Sequence, residues 1–260
     1  MDFPDYVEKI LGADSVDMLY SLLTQAVEEI CGFNRVTFRL LTDHNLINLP
    51  ANHGISKNYP DNWMAYYMEK GYEKIDPVSR YGLRASLAFS WKEVSEKVTF
   101  SREQKKCFYG GIEAGLNHGI AIPLRSAFGQ VAGVAAAVDK NQTGFDEEKQ
   151  IAYMNLICQH FYHRFLQLHE HNPARMIEVP RLSNKEREVI MWAARGKSAE
   201  EIADIMMMTE GTVRWYMNEI RKKYNCKNRL TAILMAVQMG EIDLNDLFIA
   251  KTRTKAKKAA

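Results

Sequence analysis

Apolar side chains repeat at helical spacing over residues 19–30 and then alternate along a strand. Ser15 precedes the helical stretch as a cap, and Val36, Phe38 and Leu40 alternate with polar residues. The same patterns predict strands over 87–91, 119–124 and 130–138, and helices over 101–116 and 145–167. This order predicts an α+β fold, an α/β/α sandwich in which helices pack on both faces of a mainly antiparallel sheet.

A second pattern fills residues 182–246, where helix starts follow one another closely. Ser183 with Glu186 and Ser198 with Glu201 are capping boxes, and Thr209 opens a third helix. A fourth amphipathic helix follows residue 228, and it either completes the core or pairs two copies of the chain. These short helices with tight turns predict a small all-α, four-helix domain of the helix-turn-helix type.

The third of these helices has two contrasting faces. One face is an apolar stripe of Val213, Tyr216, Met217, Ile220 and Tyr224. The other carries hydrogen-bond donors and an aromatic ring, which suits a helix that enters the major groove, although a merely solvated face fits the spacing equally well. The residues predicted to contact DNA are Thr209, Thr212, Arg214, Trp215, Asn218, Arg221, Lys222, Lys227 and Arg229.

Charge divides the chain in the same way. Residues 1–180 carry 18 Lys and Arg against 22 Asp and Glu, a net charge of −4, whereas residues 181–260 carry 16 against 10, or +6. A basic C-terminal module points to nucleic acid. Two X-Pro steps mark residues 169–181 as a linker between domains at 1–168 and 182–246, and residues 247–260 form a basic tail expected to be disordered.

Composition excludes several other classes. The four cysteines are widely separated and form no CxxC motif, so neither a disulfide framework nor a zinc site is expected. No apolar run approaches the roughly 18 residues of a membrane span, and the N-terminus is acidic where a secretory signal would be basic. We therefore expect a cytoplasmic protein with no metal, no cofactor and no membrane association.

The C-terminal module resembles the DNA-binding domain of LuxR-family transcription regulators over Leu182 to Ile233. Glu186 and Gly196 occupy signature positions, and Gly196 suits the left-handed conformation just after a helix. Ile190 stands where the family usually has Leu. Tyr216 stands where a His is frequent, which weakens inferences about backbone contacts at that position.

The N-terminal region resembles the ligand-binding domain of the quorum-sensing branch of that family, whose members bind N-acyl-homoserine lactones. The matching residues are Tyr59, Trp63, Tyr67, Asp76, Pro77, Trp91 and Gly119. Phosphorylation-dependent regulators share the DNA-binding module, but their receiver domain needs an acidic cluster near its N-terminus together with a phosphoacceptor Asp at the end of a buried strand, and this sequence shows no such arrangement.

The spacing of Tyr59, Trp63 and Tyr67 would set three rings with polar tips along a short helix, where they could cover an acyl chain. The resemblance implies that Trp63 donates to the lactone carbonyl, Tyr59 donates to the acyl carbonyl, and Asp76 accepts from the amide N–H. Ordinary core packing is the alternative explanation for these aromatic residues. Val36, Phe38, Trp91 and Ala135 complete the predicted lining, and Ala135 replaces a residue that carries a hydroxyl in several relatives.

Together these features predict a quorum-sensing regulator that binds a lactone and, as a homodimer, a two-fold symmetric site on double-stranded DNA. RNA polymerase and activation of promoters are expected with the family, although the sequence leaves repression open. The alternatives are a regulator of the same type that responds to another small amphiphile, an interaction protein without DNA binding, and a lactone-processing enzyme. The sequence has no GxSxG or HxHxDH motif for the enzyme, and shared metal binding by His160 and His163 is the weaker explanation of those residues.

Overall fold

The structure is a computed structural model that describes residues 1–44, 47–126, 129–138, 147–170 and 180–243. It contains two compact units, and the second begins near residue 178. In the described ranges, no helix is long and apolar enough to cross a membrane. The predicted tail at 247–260 and most of the predicted linker lie outside the described residues.

One antiparallel sheet forms the centre of the N-terminal unit, as the alternating pattern predicts. Its strands are β1 (Arg35–Leu40), β2 (Gly54–Lys57), β3 (Phe89–Ser90), β4 (Asn117–Arg125) and β5 (Val131–Val138). Their order across the sheet is β2-β1-β5-β4-β3. Strand β1 therefore has a neighbour on each side, with Thr37 opposite Ala135 on β5.

Helices cover both faces of this sheet, which confirms the predicted sandwich. In chain order they are α1 (Phe3–Gly12), α2 (Val16–Cys31), α3 (Asp61–Glu69), α4 (Pro77–Gly82), α5 (Trp91–Lys97), α6 (Arg102–Glu113) and α7 (Glu147–Glu170). The first two and the last pack on one face of the sheet, and the other four lie over the opposite face.

The larger apolar core lies under α2 and α7. Phe38 of β1 meets Phe161 and Phe165 of α7, with ring centroids 4.9 and 5.1 Å apart. These three rings are fully buried, and burial of each contributes about 2–3 kcal/mol to the stability of the unit. Val36 and Leu40 face the same core, because alternate residues of a strand share one side.

Local sequence signals explain where the helices begin. Ser15 caps α2 as predicted, and Ser101 with Gln104 forms a capping box at the start of α6. The strand predicted over 87–91 is shortened to two residues, because the Ser90 side chain accepts from the backbone N–H of Glu93 and starts α5 at Trp91. The sequence patterns did not predict β2, a short and largely exposed edge strand.

The C-terminal unit contains the four predicted helices, α8 (Asn184–Ala194), α9 (Ala199–Met206), α10 (Glu210–Lys223) and α11 (Arg229–Gln238). The first two begin with the predicted capping boxes, and Thr209 and Asn228 cap the other two. Gly196 has a φ of 83°, which is the left-handed conformation expected after α8. Val213 and Ile220, two residues of the predicted apolar stripe of α10, are buried.

Glu186 explains why an acid stands at a signature position of this unit. Its carboxylate is buried, accepts from the backbone N–H of Ser183 and pairs with the Lys223 ammonium at 2.6 Å, which joins α8 to α10. Burial by itself would raise the pKa of the Glu186 carboxyl, but the bonds from Lys223 and Ser183 outweigh burial and lower that pKa. Ile190 lies in the core next to Ile220, so it fills the place of the usual Leu.

Candidate ligand cavity and DNA interface

A cavity lies between the sheet and the helices α3 to α6. The cavity has a volume of about 100 Å³. Its wall contains Thr37, Arg39, Leu41, Tyr59, Trp63, Met64, Tyr67, Asp76, Val78, Ser79, Gly82, Phe89, Trp91, Cys107, Phe108, Gly111, Leu116, Ala121, Ile122, Pro123, Gly133, Val134 and Ala135. An apolar wall with a few polar groups is typical of sites for small amphiphilic molecules.

The structure brings six of the predicted ligand residues together in this wall. Trp63 and Tyr67 project from one side of α3, are 9% and 6% exposed, and have ring centroids 6.2 Å apart. Tyr59 precedes the helix, which starts after Pro60 as the pattern predicts. Asp76, Trp91 and Ala135 also line the cavity. Their roles toward a ligand stay predictions.

Asp76 is held firmly by its own surroundings. Its Oδ1 accepts from the backbone N–H of Val78 at 2.8 Å, which caps α4 ahead of Pro77. Its Oδ2 accepts from the Tyr67 and Ser79 hydroxyls, each at 3.0 Å. A carboxylate has about four acceptor positions, so these three bonds fix the group and leave room for one further donor.

Two donors in the cavity wall have no protein partner. The Tyr59 hydroxyl and the Trp91 indole N–H are buried and make no hydrogen bond within the described part of the chain. Burial raises the pKa of Tyr59, so its hydroxyl keeps its proton. An unpaired buried donor costs about 1–3 kcal/mol, and a ligand with acceptor oxygens would recover that cost.

The position of the Trp91 ring depends on Gly119. A Cβ atom at residue 119 would overlap the ring atoms of Trp91, so any larger residue would push the indole out of place. Gly111, also in the cavity wall, differs, since a Cβ there would lie 3.6 Å from Trp63, an ordinary contact. The match at Gly119 therefore has a steric reason.

The predictions for Val36 and Phe38 are wrong. Both residues face the core under α2 and α7, and the intervening residues Thr37 and Arg39 face the cavity. We took the apolar side of β1 for the ligand side, but helices cover both faces of this sheet. The missed signal was the presence of polar residues in a strand that helices cover on both faces. Buried polar side chains need hydrogen-bonding partners, and a cavity that holds a polar ligand or water supplies them.

Thr37 and Ser79 are further cavity residues that the sequence patterns missed. Thr37 lies directly opposite Ala135, so β1 supplies a hydroxyl at the level where β5 lacks one. The Thr37 hydroxyl donates to the Ile55 carbonyl at 2.9 Å and still has lone pairs that can accept.

Cys107 and the histidines of α7 have surroundings that do not favour catalysis. Burial, reinforced by Asp76, raises the pKa of the Cys107 thiol, which therefore stays protonated and a weak nucleophile. No group of three or more His, Cys, Asp or Glu within the described ranges could hold a metal ion. His163 bonds to Gln167 of its own helix, while the His160 ring contacts Phe3.

The exposed face of α10 carries most of the predicted DNA contacts. Trp215 is 55% exposed, and Asn218 and Lys222 lie on the same side of the helix. The hydroxyls of Thr209 and Thr212 bond to each other at the start of the helix. A helix N-terminus with exposed hydroxyls and a row of donors suits contact with phosphates and base edges.

Acidic partners on α10 alter the predicted picture of its basic residues. Arg214 pairs with Glu210 at 2.6 Å, and Lys222 pairs with Glu219 at 2.7 Å, so acidic residues lie beside the predicted DNA-binding face. These pairs are exposed and weak, because water and salt screen them. Both cations can exchange their carboxylate for a phosphate.

Two arginines are used inside the C-terminal unit. Arg229 donates through one terminal nitrogen to the carbonyl oxygens of Ala193 and Lys197 near the end of α8, so part of its guanidinium is used within the unit and its DNA contact stays a prediction. Arg221 donates to the Asn218 side chain and to the Lys227 carbonyl, and it lies beside the predicted face. Sequence spacing could not show the bonds to Ala193, Lys197 and Lys227, because their acceptors are backbone carbonyls.

Comparison with known proteins accounts for both units. The autoinducer binding domain family matches residues 15–165, and the family of bacterial regulatory proteins of the luxR type matches residues 180–236. The chain is 30% identical over 206 residues to the putative HTH-type transcriptional regulator y4qH of Sinorhizobium fredii, across 79% of this chain and 62% of that protein.

The match to another regulator extends over nearly the whole chain. The HTH-type quorum sensing-dependent transcriptional regulator RpaR of Rhodopseudomonas palustris is 27% identical over 244 residues, which covers 94% of this chain and 95% of RpaR. The crystal structure of Escherichia coli SdiA has the same fold, with a TM-score of 0.69 at 19% identity across 93% of this chain and 100% of SdiA.

A unit for autoinducer binding and a helix-turn-helix unit in one chain define a transcription regulator controlled by a small molecule. The chain belongs to the LuxR family of quorum-sensing transcription regulators. It binds DNA through its C-terminal unit, and like its relatives it is a regulator and not an enzyme.

Proposed function

We propose that the cavity of the N-terminal unit binds an N-acyl-homoserine lactone. The observation that carries this proposal is the pair of buried, unpartnered donors, the Tyr59 hydroxyl and the Trp91 N–H, next to an Asp76 carboxylate with one acceptor position left. Such a lactone offers carbonyl acceptors and one amide N–H on an apolar chain. These groups complement the polar and apolar parts of the wall.

Three residues of the cavity wall have proposed hydrogen bonds to the ligand. Tyr59 donates to the acyl carbonyl, Trp63 donates to the lactone carbonyl, and Asp76 accepts from the amide N–H. The three internal bonds of Asp76 hold its carboxylate in place before the ligand arrives. Little conformational entropy of this side chain is therefore lost on binding. The rings of Trp63 and Tyr67 cover the acyl chain.

Ligand binding is coupled to DNA binding through stability. A ligand enclosed in the cavity becomes part of the core and stabilises the folded chain and its homodimer by mass action. Two copies of α10 then address a two-fold symmetric site on double-stranded DNA. The protein acts in this way in the cytoplasm, as a lactone-dependent activator that contacts RNA polymerase at its promoters.

On the DNA, we assign the reading of base edges to Trp215 and Asn218, and phosphate contacts to Arg214, Lys222 and the start of α10. The exposure of these side chains supports that division. Lys227 stays a predicted DNA contact, and Arg221 acts by orienting Asn218.

Thermal unfolding of the full chain with a series of lactones tests the ligand. At a concentration about a hundred times the dissociation constant, the ligand adds about 2.7 kcal/mol, which raises Tm by about 5–10 °C. Asp76→Asn is the matched variant, because Asn caps a helix as well as Asp. Its thermal unfolding without ligand is measured alongside, because Asn also changes the bonds from the Tyr67 and Ser79 hydroxyls. The variant should lose one to two decades of affinity, or about 1.5–3 kcal/mol.

Two outcomes would overturn the ligand assignment. In the first, every lactone leaves Tm unchanged while another neutral amphiphile, such as octanoyl glycerol, raises it. In the second, Asp76→Asn responds to lactones as the wild type does. Neither outcome would alter the family or the DNA-binding role of the C-terminal unit.

A further inference from the structure

Arg39 places a guanidinium in the wall of the cavity. It lies on β1 with Gly133 opposite on one side and Gly54 on the other, and neither glycine has a side chain to cover it. Its Cζ lies 5.4 Å from the centre of the Tyr67 ring. Within the described ranges, the Arg39 guanidinium makes no hydrogen bond or ion pair with another side chain or carbonyl group.

A guanidinium in such a place calls for an acceptor. It is charged at every physiological pH and carries five N–H donors in a planar fork. The face of the Tyr67 ring attracts the positive charge but accepts none of the N–H groups in a strong hydrogen bond. Arg39 is half-buried in the cavity wall, so its donors are available to a ligand.

Tyr67 sets where that acceptor must lie. Its ring contacts Arg39, and its hydroxyl donates to Asp76 at 3.0 Å, so the guanidinium and the carboxylate flank the same side chain. A ligand whose amide bonds to Asp76 presents to Arg39 the part of its chain next to that amide. The positive charge of Arg39 and the negative charge of Asp76 also balance within the cavity wall. This balance favours a neutral ligand over a fatty acid anion.

We propose that Arg39 determines ligand specificity by selecting lactones with an oxygen acceptor, a ketone or a hydroxyl, on the third carbon of the acyl chain. This inference rests on the proposed lactone ligand. The first chain carbons are the ones close to the amide, and their carbonyl is already assigned to Tyr59. An oxygen on the third carbon is thus the nearest remaining partner for the guanidinium.

The test measures dissociation constants of the full chain for a matched ligand pair, octanoyl-homoserine lactone and its analogue with a ketone on the third carbon. Wild type should bind the ketone analogue about tenfold or more tightly, as a hydrogen bond to a charged group implies. Arg39→Met keeps the length of the side chain and removes its donors, so the preference should fall below about threefold. Arg39→Lys should keep part of it.

Arg35→Met is the control for charge alone. Arg35 lies on the same strand but outside the cavity wall, and it donates to the Asn58 carbonyl at 3.2 Å. This variant should keep the wild-type ratio. Thermal unfolding of each variant without ligand shows that it is folded.

The outcomes separate this inference from the proposed function. Equal binding of both lactones by wild type, or an unchanged preference in Arg39→Met, would overturn the role of Arg39 and leave the lactone assignment in place. Failure of wild type to bind either lactone would overturn both. A preference that disappears equally in Arg35→Met would assign the effect to net charge and refute the contact.

Discussion

Replacement of Tyr59 by Phe should change apo stability and ligand affinity in opposite directions. The Tyr59 hydroxyl is buried without a partner in the described part of the chain, so the apo fold carries its desolvation cost. Phe keeps the ring and removes the hydroxyl. A buried Tyr that only packs in the core would show the change in stability without the loss of ligand affinity.

The magnitudes follow from this hydrogen-bond count. An unpaired buried hydroxyl costs about 1–3 kcal/mol, and the small void left by the missing oxygen returns part of that. The apo free energy of unfolding should therefore stay constant or rise by up to about 1 kcal/mol, which adds about 2–4 °C to Tm. In the complex, the ligand carbonyl loses its donor, so affinity should fall about tenfold to a hundredfold.

The assay combines isothermal titration with the lactone and thermal unfolding without it, on the same protein preparations. Tyr162→Phe is the matched control. Tyr162 is also buried with an unpartnered hydroxyl, but it packs in the core on the other face of the sheet. It should show the same gain in stability with unchanged affinity. A Tyr59→Phe variant that loses stability and keeps its affinity would refute the reasoning.

Three further predictions concern the cavity wall, the DNA-binding helix α10 and the buried ion pair of the C-terminal unit. Gly119→Ala displaces an indole from the cavity wall and should cost about 1–3 kcal/mol of stability together with ligand binding, whereas Gly111→Ala should be mild, as unfolding and titration will show. Lys222→Ala should weaken DNA binding and lower its salt slope by about one in a titration at several salt concentrations. Glu186→Gln should lower the unfolding free energy by about 2 kcal/mol in denaturant titrations, because the bond to Lys223 loses its charge.

The last variant also has a pH signature. Because the folded pKa of Glu186 is lowered, its carboxylate stabilises the wild type above the unfolded pKa, and this stability is lost as the pH falls through the folded value. Glu186→Gln should remove that part of the acid dependence, and an unchanged acid profile would contradict the assignment. A normal ligand response in Gly119→Ala, or an unchanged salt slope in Lys222→Ala, would contradict the other two predictions.

Much of the fold could be predicted from the sequence, because its signals are local. Capping boxes such as Ser183 with Glu186 fix helix starts within a few residues, and the structure has them where expected. The aromatic wall was also predictable, because residues four apart on a helix share a side, as Trp63 and Tyr67 do. Short elements were lost where a single cap redirects the chain, as Ser90 does.

The rest depends on contacts between distant parts of the chain. Alternation along β1 gives two faces, but only the packed helices decide that Phe38 enters the core and Arg39 enters the cavity. Arg229 is predicted to contact DNA from its charge and position. Its acceptors are carbonyls more than 30 residues away, at Ala193 and Lys197, which no local pattern reports.

Mass spectrometry of the small molecules extracted from the chain, purified from cells of its natural host at high density, tests the central claim most directly. We predict an acyl-homoserine lactone in stoichiometric amount, with a ketone or a hydroxyl on the third carbon of its acyl chain. It should be present in wild type and depleted in Asp76→Asn. A chain that is folded and binds DNA, but yields no lactone or yields a different amphiphile in stoichiometric amount, would contradict the account.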